Sequence, residues 1–261
     1  MKNITLLMLT KNNEETIGDA LLSVQELVSD IIIVDNGSLD STLNIAKKYN
    51  ARIITYKGKN LGEQRLLGLK HVKTVWVLVL DADERLSGDL QNEIKNIFIT
   101  KYQEPSTRNF PSAYYIPYQN HFLGKPLSHG GENYKMLRIF RKNSVSIEPN
   151  LVHEGFKILK GKVGELNGKI FHYSYRSLPQ MFGKFHDYAL RDAEQKFKKG
   201  EQSSLKKMIM YPIHMFYSRF IKDMGYKDGI YRIFLDLGFA YMEYITYLSL
   251  ALKNLEAKHH L

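Results

Sequence analysis

The chain of 261 residues contains no cysteine. Disulfide bonds, thiolate metal sites and cysteine nucleophiles are therefore excluded. The sequence also lacks a run of roughly 18 apolar residues, the length that a membrane-spanning helix needs. Its N-terminal stretch, MKNITLLMLTKNNEET, has too short an apolar run for a signal peptide. We expect a cytoplasmic protein that does not cross a membrane.

The overall composition is that of a globular protein, with 44% apolar and 25% charged residues. The net charge of +10 is strongly positive, and such a surplus favours an anionic partner. A nucleotide, a nucleic acid and an acidic lipid all satisfy this condition. Charge alone therefore leaves the class of partner open.

Short apolar runs alternate with helical patterns along the first half of the chain. The runs, rich in β-branched residues, predict strands buried on both faces: ITLLML (4–9), DIIIVD (30–35), ARIITY (51–56) and VWVLVL (75–80). Helical spacing of apolar residues predicts helices from Glu14, with Asn12 or Asn13 as N-cap, from Ser38, and over 61–72. This alternation predicts an α/β fold with a mostly parallel sheet and right-handed crossovers.

Polar segments follow each of the four predicted strands: TKNNEE, DNGSLD, GKNLGEQR and DADE. Asn, Asp and Gly are common in ordinary turns, so one such segment would indicate only a turn. Four of them at the carboxyl ends of parallel strands meet at one edge of the sheet, where ligands of such sheets bind. The pattern favours a ligand site.

The pattern changes after Ser112. AYYIPYQNHFLGKPLSHGG and YKMLRIFRK predict aromatic-rich antiparallel strands. From Ser177 the chain becomes helical to about Lys253, with KKGEQSSLKK as a basic linker.

Asp81 and Asp83 end the fourth strand one residue apart. Side chains at i and i+2 of an extended chain point the same way, so the two carboxylates can share a ligand. A hard divalent cation, Mg²⁺ or Mn²⁺, suits such oxygen donors, and its charge together with a bound diphosphate would balance theirs. The alternative is an Asp-rich strand-to-helix turn in which Ser87 caps the next helix.

A series of segments resembles family 2 glycosyltransferases, in the order in which that family has them: TKNNEETI, VDNGSLDST, GEQRLLGL, LDADERL, NHFLGKPLSHGG, LRIFRK, LVHE and HYSYRS. The similarity covers nearly the whole chain and is greatest to the branch of lipopolysaccharide-core β-1,4-glucosyltransferases. It implies a GT-A fold with a C-terminal helical extension. The implied domains are a catalytic domain over 1–176, with a nucleotide-binding half over about 1–100 and an acceptor half over about 101–176, and a helical region over 177–261.

The resemblance implies a donor site for a nucleotide-diphosphate sugar at the sheet edge, with a UDP-hexose as donor. Asp35 would face the base or ribose, Arg65 would pair with the diphosphate, and Asp81 would lie near ribose and metal. Asp83 would bind the metal directly, with His172 as a further ligand. Thr10, Lys11, Asn12 and Glu14 would line the same pocket.

On the acceptor side, the resemblance implies that Glu154 in LVHE is the catalytic base, with His153 beside it. A carboxylate whose pKa burial raises is suited to accept a hydroxyl proton; the alternative is a carboxylate that stabilises a helix start. SHGGENYK reads as a mobile loop over the donor. Candidate acceptor contacts are Tyr115, Asn120, His121, His129 and Arg138.

The C-terminal third is dense in aromatic residues and Met, and KFKKG and SLKK flank it. Amphipathic helices of this kind suit an anionic membrane surface, and the inner face of the plasma membrane is the expected place. A helical lid and a dimer interface are the alternatives. Arg232, Asp236 and Glu243 argue against a bilayer span.

Together these features predict an inverting, metal-dependent glycosyltransferase that moves a hexose from a UDP-sugar, such as UDP-glucose, to a cell-envelope glycan or glycolipid. A sugar-nucleotide nucleotidyltransferase is one alternative, but LTKNNEETI lacks the Gly- and Arg-rich loop expected there. A basic nucleic-acid-binding protein is another. Its cations should form one stripe, whereas here they concentrate among aromatics of the C-terminal half, so we expect no nucleic acid partner.

Overall fold

The computed structural model describes residues 3–58, 60–100, 110–147 and 155–259. Four strands form the parallel part of a sheet: β1 (Ile4–Thr10), β2 (Asp30–Asp35), β3 (Arg52–Thr55) and β4 (Trp76–Val79). β1 pairs in parallel with both β2 and β4, and β2 pairs with β3. All residues of β1 and β4 are buried, as expected for a sheet covered on both faces. The four predicted strands are confirmed, but β3, at the edge of the sheet, is only partly buried, so the predicted burial on both faces is wrong for this strand.

Helices connect these strands: α1 (Ile17–Leu22), α2 (Thr42–Lys48) and α3 (Leu61–His71). The Asn60 side chain caps α3 by accepting from the backbone N–H of Glu63 at 3.1 Å. α3 packs so closely on the sheet that a Cβ at Gly68 would lie 2.3 Å from Leu7 and 2.6 Å from Val34. Glycine at this position therefore sets the distance between helix and sheet.

Two of these helices begin three to four residues later than the sequence predicts. α1 starts after Thr16, and neither Asn12 nor Asn13 is its N-cap. The Asn13 side chain instead accepts from Thr10 and from the backbone of Lys11. α2 starts after Ser41 because the preceding residues form a loop around Asp35.

Antiparallel strands extend the sheet beyond β4. In chain order the remaining elements of this part are β5 (Glu84–Leu86), α4 (Gly88–Lys95) with π-helical turns over Asn96–Thr100, β6 (Ala113–Phe122), β7 (Lys125–Pro126), β8 (Lys135–Arg141), a short 3₁₀ turn (Lys142–Ser144), β9 (Val145–Ile147), β10 (Phe156–Ile158), β11 (Val163–Glu165) and β12 (Ile170–Tyr175). The strand order is β3-β2-β1-β4-β8-β6-β12-β5. β8 pairs antiparallel with both β4 and β6, which confirms the predicted change of pattern. Ser87 caps α4 by accepting from Leu90 N–H at 3.2 Å, the cap that the alternative interpretation of the DADE segment included.

Side chains that alternate along the parallel strands fill two hydrophobic cores. Leu6, Met8 and Leu78 belong to one, while Leu7 and Val77 belong to the other. This alternation follows from the two-residue period of a strand. Because both faces are occupied, the polar groups of this part of the chain collect at the strand ends.

The C-terminal helices are α5 (Leu178–Lys198), α6 (Leu205–Phe216) with π-helical turns over Tyr217–Lys222, a 3₁₀ turn (Gly225–Asp228) and α7 (Arg232–His259). α7 packs against both α5 and α6. The predicted linker is tied to α7, because Ser203 donates to the carbonyl of Tyr247 at 2.7 Å. Among the helices described, none combines the length and the apolar character that crossing a bilayer requires.

The chain forms two compact units, one from residues 1–119 and 134–172, the other from residues 120–133 and 173–261. The first contains the parallel strands, and the second contains the C-terminal helices. Residues 120–133, which the sequence analysis placed in the first domain, pack with the second unit. The domain boundary at residue 176 stays a prediction.

Candidate functional site

Two loops at the carboxyl ends of β1 and β2 interlock. The Asn12 side chain accepts from the backbone N–H of Leu39 at 2.8 Å, and the backbone N–H of Asn12 donates to Ser38 Oγ at 2.9 Å. Glu14 accepts from the backbone N–H of Ser41 at 2.9 Å. Asn12 adopts a left-handed backbone conformation, with φ 53°, which asparagine tolerates better than most residues. The structure therefore brings the predicted donor residues of both loops together.

Asp35 lies at the end of β2 and is 3% exposed. Its carboxylate accepts from the backbone N–H groups of Gly37 and Ser38 at 3.0 and 3.1 Å, and from Ser38 Oγ at 2.5 Å. Its contacts are thus within its own loop, and a role towards a base or ribose stays a prediction. Of the other predicted donor residues, Thr10 is buried and bonds Asn13, while Lys11 is exposed.

Asp81, which follows β4, lies between two arginines. Its Oδ1 is 3.3 Å from Arg65 on α3, and its Oδ2 is 3.2 Å from Arg138 on β8. Arg138 reaches this edge because β8 runs antiparallel beside β4, with Ile139 opposite Leu78. Arg65 and Arg138 therefore supply positive charge beside Asp81. A role of Asp81 towards a metal and a diphosphate stays a prediction.

Arg138 was predicted as an acceptor contact, but its side chain is only 4% exposed. It donates to Glu84 Oε1 at 2.8 Å, and its Nε donates to the hydroxyl of Tyr118. Tyr118 in turn donates to the same Glu84 oxygen at 2.8 Å. Glu84 Oε2 accepts from the backbone N–H of Asp81 at 2.9 Å. These buried partners hold Arg138 against Asp81, which corrects the predicted role.

Burial and charge act in opposite directions on the acidic groups here. Burial favours a higher pKa for Asp81, but the charges of Arg138 and Arg65 outweigh it and hold that pKa below its usual value. For Glu84 burial dominates, and its pKa is raised despite Arg138. Burial likewise raises the pKa of Tyr118 well above its usual value. The pKa of Asp81 is thus lowered while that of Glu84 is raised, and the Asp81 side chain, 33% exposed, is the one that a ligand can reach.

Asp83 and His172 form a second pair, with His172 Nε2 3.6 Å from Asp83 Oδ1. The register of β12 on β5 sets this distance, because it places His172 opposite Glu84, the residue after Asp83. Burial favours a lower pKa for His172, but the carboxylates around it, Asp83 first, raise it. The two side chains that the resemblance assigns to one metal thus lie close together, and their binding of a metal stays a prediction.

The remaining acceptor candidates are on β6 and in the second unit. Tyr115 is on β6 and is 37% exposed. Asn120, His121 and His129 belong to the second unit. Asn120 donates to Glu132 at 2.7 Å, and His129 Nδ1 is 2.8 Å from Asp228. Their contribution to acceptor binding stays a prediction.

The segment SHGGENYK was interpreted as a mobile loop, but charged groups of the second unit hold its backbone. Asp228 accepts from the backbone N–H groups of Ser128 and His129 at 3.0 to 3.1 Å. Arg232, fully buried, donates to the carbonyls of His129 and Gly130 at 3.1 and 3.0 Å. This segment is therefore anchored to α7 and to the turn before it.

His153 and Glu154, the predicted catalytic pair, lie outside the described residues. Their roles stay predictions.

The profile of glycosyl transferase family 2 matches residues 5–145, more than half of the chain. The chain is a family 2 glycosyltransferase. The matched span contains the parallel strands, both aspartates, both arginines and the antiparallel strands up to the start of β9. The predicted GT-A fold is therefore confirmed, and membership favours sugar transfer over nucleotidyl transfer or nucleic-acid binding.

Relatives of this glycosyltransferase are bacterial. A Rickettsia typhi protein named as an uncharacterized glycosyltransferase is 30% identical, over 98% of this chain and 91% of that protein. The lipopolysaccharide core biosynthesis glycosyltransferase LpsC of Rhizobium meliloti is 23% identical, over 84% of this chain and 81% of that protein. The solved structure of S. aureus TarS 1–349 in complex with UDP aligns over 98% of this chain and 92% of that chain, with a TM-score of 0.47 and 13% identity.

The donor groups of this glycosyltransferase fit a divalent cation in part. Asp83 and His172 offer a carboxylate oxygen and an imidazole nitrogen that face each other, and both side chains are partly exposed. Asp81 also offers carboxylate oxygens, but each already contacts an arginine, and its part in a metal site stays a prediction. Within the described ranges, no group of three or more His, Asp or Glu side chains could hold a metal ion. The protein thus supplies at most part of a coordination shell there.

Two residues of this cluster were missed from the sequence, Glu84 and Tyr118. Glu84 had a detectable signal, since it is the third acidic residue of DADE and three acids within four residues require more than one counter-charge. Tyr118 had none, because its role depends on a contact with a residue 34 positions away.

Proposed function

We propose that this family 2 glycosyltransferase is an inverting, metal-dependent enzyme that transfers a hexose, with glucose as the favoured sugar, from a UDP-sugar to a hydroxyl group of a cell-envelope glycan such as the lipopolysaccharide core. The observation that carries the proposal is the arrangement at the end of β4. There a partly exposed Asp81 lies between Arg65 and Arg138. Asp83, two residues further along the chain and directly before β5, pairs with His172 on the neighbouring strand β12. Carboxylates that end a central strand at this edge are where a parallel sheet binds its ligand.

The first step is to bind the donor. Asp83 and His172 would hold a divalent cation, which when bound supplies positive charge beside the leaving diphosphate. Asp81, kept ionised by its arginines, would accept hydrogen bonds from ribose hydroxyl groups of the donor. The interlocked loops that contain Asn12 and Asp35 would bind the nucleotide. The choice of uridine and of glucose rests on the resemblance of the sequence motifs.

The second step is the transfer itself. Glu154 would take the proton of the acceptor hydroxyl, whose oxygen forms the new bond to the anomeric carbon as the bond from that carbon to the diphosphate oxygen breaks. Attack from the face opposite the leaving group gives inversion. His153 would orient Glu154. Tyr115, Asn120, His121 and His129 would contact the acceptor.

The acceptor proposal draws on the relative LpsC, whose name places it in lipopolysaccharide core biosynthesis. Because glycolipid acceptors of this kind lie at a membrane, we propose a peripheral position at the inner face of the plasma membrane. The charge of +10 supports contact with anionic lipid there.

The test is a thermal-unfolding screen of the full chain with UDP-glucose, UDP-galactose, UDP-GlcNAc and GDP-mannose, each with Mn²⁺, with Mg²⁺ or with EDTA. A UDP-hexose should raise Tm only with metal present. Asp83→Ala should abolish this rise, whereas Asp89→Ala, which removes an exposed carboxylate of α4, should keep it. Immobilised RNA serves as the counter-test, and tight RNA binding without any response to UDP would contradict an enzyme that uses a UDP-sugar.

Turnover tests the proposed base separately. Glu154→Gln should bind the donor with unchanged affinity and lose transfer to the acceptor. Wild-type turnover in Glu154→Gln would remove this residue as the base and leave the donor proposal standing.

A further inference from the structure

α6 and its π-helical continuation carry a row of exposed apolar side chains. Leu205, Ile209, Ile213, Tyr217 and Ile221 follow one another at every fourth position, and their exposed fractions are 70%, 50%, 57%, 55% and 46%. Residues four apart lie on one face of a helix. We call this row the α6 stripe. Met210 and Met224, 50% and 41% exposed, add further exposed apolar surface in the same segment.

The α6 stripe is exposed although the same helix already packs on the protein by another side. The Tyr211 ring meets the Tyr247 ring edge-on at 4.9 Å, and Met208 packs against the cluster of Ala193, Tyr247 and Leu250. α6 therefore has apolar residues on both sides, and within 205–216 none is buried. A helix with apolar residues on opposite sides normally lies inside a protein or a membrane. We therefore expect the exposed side, the α6 stripe, to be covered by a partner.

Cations accompany the α6 stripe. The segment 205–227 contains five Lys or Arg residues and one Asp. Lys207 is paired with Glu201, and Arg219 with Glu132 and Asp236. Lys206 near one end of the row and Lys222 at the other are exposed. At the second end the exposed Asp223 lies beside Lys222, but Lys227 is exposed there too, so both ends of the stripe have a net positive charge.

We infer that the α6 stripe inserts into the surface of an anionic lipid bilayer, with the helix lying in the plane of the membrane. Large apolar side chains with Lys residues at the edges are the pattern of interfacial helices, which bury their apolar face about 5–10 Å deep. Basic residues beside them are attracted to anionic headgroups. This inference rests on the membrane contact in the proposed function, but not on its donor, acceptor or reaction.

A second copy of the chain is the alternative partner for the α6 stripe, but the charges at its ends disfavour such a dimer. A symmetric contact brings the same patch of both chains together. Two antiparallel α6 stripes would place Lys206 of one chain beside Lys222 of the other, and these like charges would repel. Anionic headgroups instead neutralise both ends of the stripe at once.

The test uses the full chain with vesicles of phosphatidylcholine alone or with phosphatidylglycerol added, in the absence of any sugar nucleotide or glycolipid. Co-sedimentation should show binding to the anionic vesicles that weakens as salt rises. The triple variant Leu205→Gln/Ile209→Gln/Ile213→Gln should bind at least about tenfold more weakly, because each change removes much of the transfer free energy of a buried aliphatic side chain. The matched control is Leu22→Gln/Leu159→Gln, at positions 56% and 59% exposed in the first unit, and it should bind like the wild type.

A spectroscopic variant locates the contact without weakening it. The chain has one tryptophan, Trp76, which is fully buried. In Ile213→Trp the added indole should shift its emission to shorter wavelength on anionic vesicles and be quenched by lipids brominated in their acyl chains. Equal circular dichroism and Tm of all variants in buffer establish that they are folded.

Three outcomes overturn the inference. One is wild-type affinity of the triple variant for anionic vesicles. Another is an Ile213→Trp emission that vesicles leave unchanged. The third is a wild-type dimer in sedimentation that the triple variant converts to monomer while neither binds vesicles, which would make the stripe an interface between copies. Because no donor is present, none of these results depends on whether the proposed sugar transfer is correct.

Discussion

Arg138 donates to Glu84 at 2.8 Å, and the two side chains are 4% and 1% exposed. The same guanidinium is 3.2 Å from Asp81, the acid that a ligand can reach. A buried ion pair is costly to form, but removing one partner leaves the other charge without compensation. The pair therefore matters more for holding Asp81 in place than for net stability.

Arg138→Met should lower the free energy of unfolding by about 3–5 kcal/mol, because the buried Glu84 and Tyr118 then lose the guanidinium that bonds them. Urea denaturation measures this change. The matched control is Lys135→Met, also on β8, which removes the exposed pair with Glu165 and should cost at most about 1 kcal/mol. Equal costs for the two variants would show that the buried cluster is not held as described.

Tyr118 and Glu84 should be energetically coupled, because Tyr118 donates to Glu84 at 2.8 Å while both contact Arg138. Tyr118→Phe and Glu84→Gln should each destabilise the protein. In a double-mutant cycle the coupling free energy should be roughly 0.5–3 kcal/mol. A coupling indistinguishable from zero would contradict a shared network.

The strands were predictable from the sequence because each apolar run is rich in β-branched residues and is followed by a polar segment. The starts of α1 and α2 were not. They depend on bonds between Asn12 and the backbone of Leu39, and between Glu14 and that of Ser41, which join loops 27 residues apart. Local capping rules describe a helix end alone, so they cannot anticipate a partner loop.

The candidate site was predictable to a similar extent. Asp81, Asp83 and His172 were expected at one edge of the sheet, and the structure brings them there. The role of Arg138 could not be foreseen, because it lies 57 positions from Asp81 and reaches it through the pairing of β8 with β4. The anchoring of His129 and Gly130 by Arg232 depends on a separation of about a hundred positions. Pairings of that range require the tertiary fold.

Asn12 should matter for the donor site beyond its own stability effect. Asn12→Ala keeps the left-handed backbone angle without the bond to Leu39, so affinity for the UDP-sugar should fall by about tenfold. Asn50 has a similar angle, φ 56° against 53°, but it precedes β3 and lies away from the strand ends of the site. Asn50→Ala should therefore cost a similar amount of stability and leave the titrated donor affinity unchanged. A loss of affinity in both variants would attribute the effect to backbone strain.

Gly130 should tolerate no side chain. Its φ is 67°, and an added Cβ would lie 2.2 Å from Arg232, which is fully buried. Gly130→Ala should cost at least about 1–3 kcal/mol of unfolding free energy.

Gly183→Ala is the control with the opposite expected sign. Gly183 lies within α5, and no atom lies within 4 Å of a Cβ added there. The substitution should therefore stabilise the protein by about 0.5–1 kcal/mol. Thermal unfolding of both variants tests the pair, and a neutral Gly130→Ala would contradict the anchored segment.

Tyr114 should make stability depend on pH in the alkaline range. Its side chain is 5% exposed, and burial raises the pKa of Tyr114 to about 12, with Arg141 opposing in part. Below a pH of about 10 both states keep the proton, whereas between about 10 and 12 only the unfolded state releases it, so stability falls as pH rises. At a pH of about 11 the loss of unfolding free energy should be roughly 1.4 kcal/mol.

Tyr114→Phe keeps the ring beside Phe98 (5.6 Å) and should remove this part of the decline in urea titrations at about pH 8 and 11. Tyr226→Phe, at a tyrosine 48% exposed, is the control. Identical pH dependence in Tyr114→Phe and the wild type would show that this hydroxyl ionises as readily in the folded protein as in the unfolded chain.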